Sequence, residues 1–87
     1  MKRMIVASRD DRDYFGQAAY EKYHDLVRDN LSGVVISKRV SDEGKPGSLL
    51  TEAENIGIDM WDLLECLEGM CYNGEAQEIS DYQYKVL

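Results

Sequence analysis

The sequence predicts a small α+β domain with element order β-α-β-α-α-β-β, its strands joined in one small antiparallel sheet. Three observations carry that prediction. Apolar residues recur at steps of three and four between residues 15 and 31; Gly57 separates two short segments of the same periodicity; and Tyr82, Tyr84 and Val86 alternate with Gln83 and Lys85. At 87 residues with 44% apolar content, the chain suits one domain over 1–87, with no room for a second core.

Met4, Ile5, Val6 and Ala7 form a short, β-branched apolar run closed by Ser8, which predicts a buried strand over 3–8. The apolar run is far too short for a signal peptide or a membrane span, so a cytoplasmic protein is expected. A helix follows from about residue 13, with Phe15, Ala18, Ala19, Tyr23, Leu26, Val27 and Leu31 on its inner face. Asp10, Asp11 or Asp13 caps its positive end, and Asn30, Ser32 and Gly33 terminate it. Val34, Ile36 and Val40 fall in period-two phase and predict a second strand. Residues 41–48 (SDEGKPGS) collect turn formers and charge, as an exposed, mobile loop would.

Ser48 or Thr51 begins the next helix, Thr51 having Glu54 three residues on as a capping box, and Gly57 breaks it. Asp59 opens another, with Met60, Leu63, Leu64, Leu67, Met70 and Cys71 within an arc of about 120° and Asn73 and Gly74 at its end. Residues 75–79 and 82–87 then read as a hairpin around Ser80 and Asp81. From residue 13 onward this order resembles the winged helix family, whose elements run helix, strand, helix, helix, strand, strand. Ala53, Gly57, Ile56, Ile58 and Leu63 sit where the helix-turn-helix pattern wants a small residue, a turn and inward apolar side chains. Glu52 departs from it, standing where an apolar residue is usual.

The charge is lopsided. Nine bases and eight acids precede position 50, whereas Lys85 alone faces nine acids after it, so the first half carries +1 and the second -8 of the net charge of -7. On the third helix Trp61, Glu65, Glu68 and Tyr72 fall at i, i+4, i+7 and i+11, an aromatic and acidic stripe that Asp59 and Asp62 extend. A DNA-reading helix presents Arg, Lys, Asn or Gln to base edges, and none occurs between Asp59 and Tyr72. These six residues are the candidate partner-binding site, suited to a basic protein and unsuited to phosphate. The competing account is a plain solvated acidic helix with Trp61 tucked against a neighbour; an exposed Trp61 favours docking.

Other constellations carry less. Asp10, Asp11 and Asp13 lack the glycine and distal glutamate of a calcium loop. Residues 44–48 outwardly resemble a phosphate-binding loop, but the leading glycine is missing and Pro46 removes an amide, so a turn is expected. Cys66 and Cys71 lie five apart on a helix, which predicts two reduced thiols, and His24 reads as a lone surface residue. One His and two Cys assemble neither a nucleophile with a positioned base nor a metal site, so no enzymatic activity, cofactor or metal is expected. Tyr14, Tyr20 and Tyr23 cannot all face the core, and the surplus suits a second contact or a dimer seam.

Two functions follow from different weights on these features. The acidic stripe implies a non-enzymatic module docking on a basic, nucleic-acid-binding protein. In its overall character, short and acidic with MWDLLECLEGMCYNGEAQEISD near its end, the chain is similar to small accessory proteins of phages and conjugative elements, among them anti-CRISPR inhibitors. The winged-helix resemblance implies instead a transcription regulator, for which a dimer would meet DNA through Lys2, Arg3, Lys38, Arg39 and Lys45.

Overall fold

A computed structural model describes residues 17–87, and over them the order is helix, strand, helix, helix, strand, strand. The first described element is thus a helix, α1 (Gln17–Leu31); the strand expected over 3–8, the aspartate caps and Tyr14 lie outside the described residues. The remaining elements are β1 (Val35–Ser37), α2 (Leu49–Ile56), α3 (Met60–Tyr72), β2 (Ala76–Ser80) and β3 (Gln83–Val86). Three helices and a three-stranded antiparallel sheet make this an α+β fold. Among the described residues, no helix is long and apolar enough to cross a membrane.

On α1, Ala19, Val27 and Leu31 are buried, Tyr20 and Tyr23 pack partly against the core, and Ala18 is exposed. This face meets α3, the most extensive contact between elements. Beyond the helix, the amide of Gly33 donates to the carbonyl of Val86 at 2.7 Å, fastening its end to the sheet.

The sheet order is β1-β3-β2. Ile36 stands opposite Tyr84 and Ala76 opposite Val86, and these four, with Val35, Lys85 and Gln77 on the other face, give the sheet one buried side. The register slips between Glu78 and Ser80, where Ile79 is the extra residue of a bulge. That bulge places Tyr82 in the turn, so the alternation read from the sequence holds for Tyr84 and Val86 and stops there.

One expectation for residues 34–48 is corrected. β1 ends at Ser37, and Val40, expected inward, begins a single 3-10 turn (Val40–Asp42) and is 78% exposed. Local hydrogen bonds account for the break: the Ser37 hydroxyl donates to Asp42 at 2.7 Å and accepts the Arg39 amide at 3.2 Å, competing with the ladder. The loop after it is exposed over most of its length, as expected, and its end is bonded to β1. The Ser37 amide donates to the Gly47 carbonyl at 2.8 Å, and a Cβ on Gly47 (φ 87°) would lie 3.3 Å from the Val35 carbonyl oxygen.

The start of α2 explains the odd glutamate. Ser48 is the N-cap, its hydroxyl accepting the Thr51 amide at 3.2 Å, while Glu52 reaches back to accept the Gly47 amide at 2.9 Å. Glu52 therefore satisfies a loop donor where an apolar side chain would leave it unmet. At the other end Gly57 adopts φ 80°, donating to Glu54, and Ile58 donates to Ala53, which is the paired closure of a Schellman motif. Nothing lies within 4 Å of a Cβ built there, so Gly57→Ala tests backbone conformation alone. It should destabilise the fold by about 1 kcal/mol, read as a lower urea midpoint with unchanged slope; an unchanged midpoint would contradict the left-handed turn.

Candidate functional site

On α3, Leu63, Cys66, Leu67, Gly69 and Met70 are buried, while Met60, Leu64 and Cys71 are partly so. The inner face is thus rotated by about 60° from the arc expected, towards Cys66 and Gly69. The rotation follows from α3 having neighbours on several sides, α1, α2 and β2, so that more than one stripe is covered.

The opposite side carries the stripe. Trp61 is 62% and Tyr72 68% exposed, Glu65 is exposed, and Glu68 is half-buried. The other two predicted residues play different parts. Asp59 is the N-cap, its carboxylate accepting the Trp61 amide at 2.8 Å, and Asp62 is half-buried on the flank in the first turn, where a carboxylate suits the helix dipole. Among the described residues, no ion pair forms at Glu65 or Glu68.

Some charges elsewhere are engaged. Glu75, one of the nine acids after position 50, bonds to the Tyr20 hydroxyl and to Arg28 at 3.3 Å, and Arg28 also pairs with Asp25. The hydrogen bond from Tyr20 to Glu75, aided by burial, raises the Tyr20 pKa. His24, expected at the surface, is partly covered: it stacks on Tyr20 with ring centroids 4.4 Å apart, and its Nδ1 lies 2.7 Å from the Tyr20 carbonyl.

Lys38, partly covered, and Arg39, exposed, both lie on aromatic rings. The Lys38 ammonium donates to the Tyr84 hydroxyl at 3.1 Å and stands 5.0 Å from its ring, and the Arg39 guanidinium lies 4.4 Å above the Tyr82 ring. The bond to Tyr84 raises the Lys38 pKa, and burial, outweighing Lys38, raises that of Tyr84. Lys45 is 3.9 Å from Asp42.

Between this cationic corner and α3 runs a groove of about 440 Å3, lined by Lys38, Arg39, Val40, Leu49, Met60, Trp61 and Leu64, with Ser37 and Glu43 completing it. Sequence reasoning missed it, because it joins Val40 and Trp61 only once the strand stops early; an apolar Val40 beside charged neighbours was the available signal. The cysteines are free thiols. Among the described residues, no cluster of three or more metal-binding side chains forms.

Compared with protein-family models, characterised proteins and solved structures, the chain finds no match.

Burial pushes the Cys66 thiol from 9.0 up to about 12 and raises that of Cys71. Both, with Tyr84, hold protons in the fold that the unfolded chain releases. Stability is therefore full below pH 9.0 and falls as pH climbs towards about 12. Urea midpoints should drop between pH about 9 and about 10.5, and Cys66→Ala should flatten that drop; an equally steep fall in the variant would contradict the assignment to Cys66.

Proposed function

We propose that the chain is a non-enzymatic, winged-helix-like protein-binding module of the cytoplasm, whose α3 stripe docks on a basic, nucleic-acid-binding protein. The observation that carries this reading is Trp61: a large ring left 62% exposed, on the same helix face as Glu65, an exposed acid with no ion pair among the described residues. Burying such a ring against a partner is worth about 2 kcal/mol, and aromatic anchors of this kind dominate protein interfaces. Glu65 and Glu68 would steer a cationic surface towards it and set the register.

The element order from α1 to β3 matches that of the winged helix family, which supports the fold part of the proposal. The same order favours a DNA-binding regulator as the second reading. Against it stand the acids on α3 and the engagement of Lys38 and Arg39 with tyrosines, which leaves few cations of the described residues for phosphate. An inhibitor of the anti-CRISPR type, occupying the nucleic-acid channel of a cationic effector, is the biological form that best suits an acidic surface of this kind.

Titration against labelled random duplex and against a panel of CRISPR effectors and other basic nucleic-acid-binding proteins tests the proposal. Duplex should not be retarded at low salt. Binding to a basic effector should weaken about tenfold or more with added salt, and again with Glu65→Lys plus Glu68→Lys. Retarded duplex, or effector binding indifferent to the charge reversals, would overturn it.

A further inference from the structure

Resting on the docking function just proposed, we infer that the groove beside Trp61 is its specificity pocket, and that it takes a bulky apolar side chain of a partner segment flanked by lysine or arginine. Val40, Leu49, Met60, Trp61 and Leu64 supply a predominantly apolar lining. At about 440 Å3 the groove falls within the size of pockets that enclose small organic groups, and it exceeds the bulk of one leucine or phenylalanine side chain. Two of its walls, Val40 and Trp61, are 78% and 62% exposed, so they lose solvent contact only when something fills the groove.

Charge identifies the occupant. Lys38 and Arg39 also line the groove and keep their charge on Tyr84 and Tyr82, so the cations of a guest's flanks meet the acids on the α3 side of the groove rather than this corner. Glu43 is among the lining residues, and Glu65 lies one helical turn beyond Trp61, with Glu68 one turn beyond Leu64. None of these three acids has an ion-pair partner among the described residues. An apolar side chain seated in the groove therefore has acids about it, and cations on its flanking residues meet them. A second copy of the chain, with a net charge of -7, complements this surface poorly.

Three fluorescein-labelled hexapeptides make the test: Leu-Phe flanked on each side by Lys-Arg, the same flanks around Gly-Ser, and Leu-Phe flanked by glutamates. Trp61 is the one tryptophan of the chain, so its emission reports the groove directly while anisotropy reports binding. The first peptide should shift Trp61 emission and bind at least about tenfold more tightly than either control. Val40→Ser should weaken that peptide about fivefold without moving the urea midpoint, because Val40 lies outside the core; Leu87→Ser, also exposed but outside the groove, should change nothing.

Equal binding of the Leu-Phe and Gly-Ser peptides, or indifference to Val40→Ser, would overturn the groove assignment. The docking function would survive that result if Glu65→Lys plus Glu68→Lys still weakened the basic peptides. Should no peptide bind, the groove assignment falls by itself, and the effector titration then judges the docking function separately.

Discussion

Burial of one side of α3 is the constraint on which the rest of the structure depends. Leu63, Cys66, Leu67 and Met70 are wholly excluded from solvent, and α1, α2 and the hairpin all pack about that helix. With 3.6 residues per turn, seating these four side chains leaves the orientation of every other position on α3 no freedom. Trp61, Glu65 and Tyr72 point outward because Leu63, Cys66 and Met70 point inward. Geometry thus explains the direction of the stripe but leaves its chemistry unexplained. An aromatic ring at that position forgoes about 2 kcal/mol that a partner can recover.

A second layer of contacts ties the basic half of the chain to the acidic half. Tyr20 and Arg28 hold Glu75 at the entry to β2, Lys38 and Arg39 lie on Tyr84 and Tyr82, and the end of α1 is bonded to the end of β3. These pairings draw cations towards the sheet and relieve one acid of the hairpin. Among the described residues Glu65, exposed on α3, forms no ion pair, while Glu68 lies close enough to Lys38 to raise its pKa. The asymmetry along the sequence becomes an asymmetry between faces.

Much of the fold was legible because periodicity and turn chemistry agree. The run from α2 to α3 shows it best: Ser48 caps, Ala53 is buried, Gly57 takes the left-handed turn and Asp59 caps again. Alternation placed Tyr84 and Val86 inward for the same reason. What escaped is what depends on distant partners. Period-two phase carried Val40 into a strand, but a serine hydroxyl and an aspartate five residues apart ended that strand at Ser37. Cys66 fell outside the apolar arc because an arc drawn from one helix takes no account of neighbours on several sides. Glu52 looked anomalous until its carboxylate met the Gly47 amide, a contact that no helical pattern encodes. Of the six candidate site residues, Trp61, Glu65, Glu68 and Tyr72 share the outward stripe, whereas Asp59 is occupied in capping and Asp62 flanks it.

Collisional quenching of Trp61 fluorescence in the native protein probes the central claim most directly, since it reads the exposure of that ring and the sign of its surroundings together. The account predicts strong quenching by neutral acrylamide, and at low ionic strength quenching by caesium that clearly exceeds quenching by iodide, with the difference fading as inert salt is added. A ring that acrylamide scarcely reaches, or one that iodide quenches better than caesium, would contradict it.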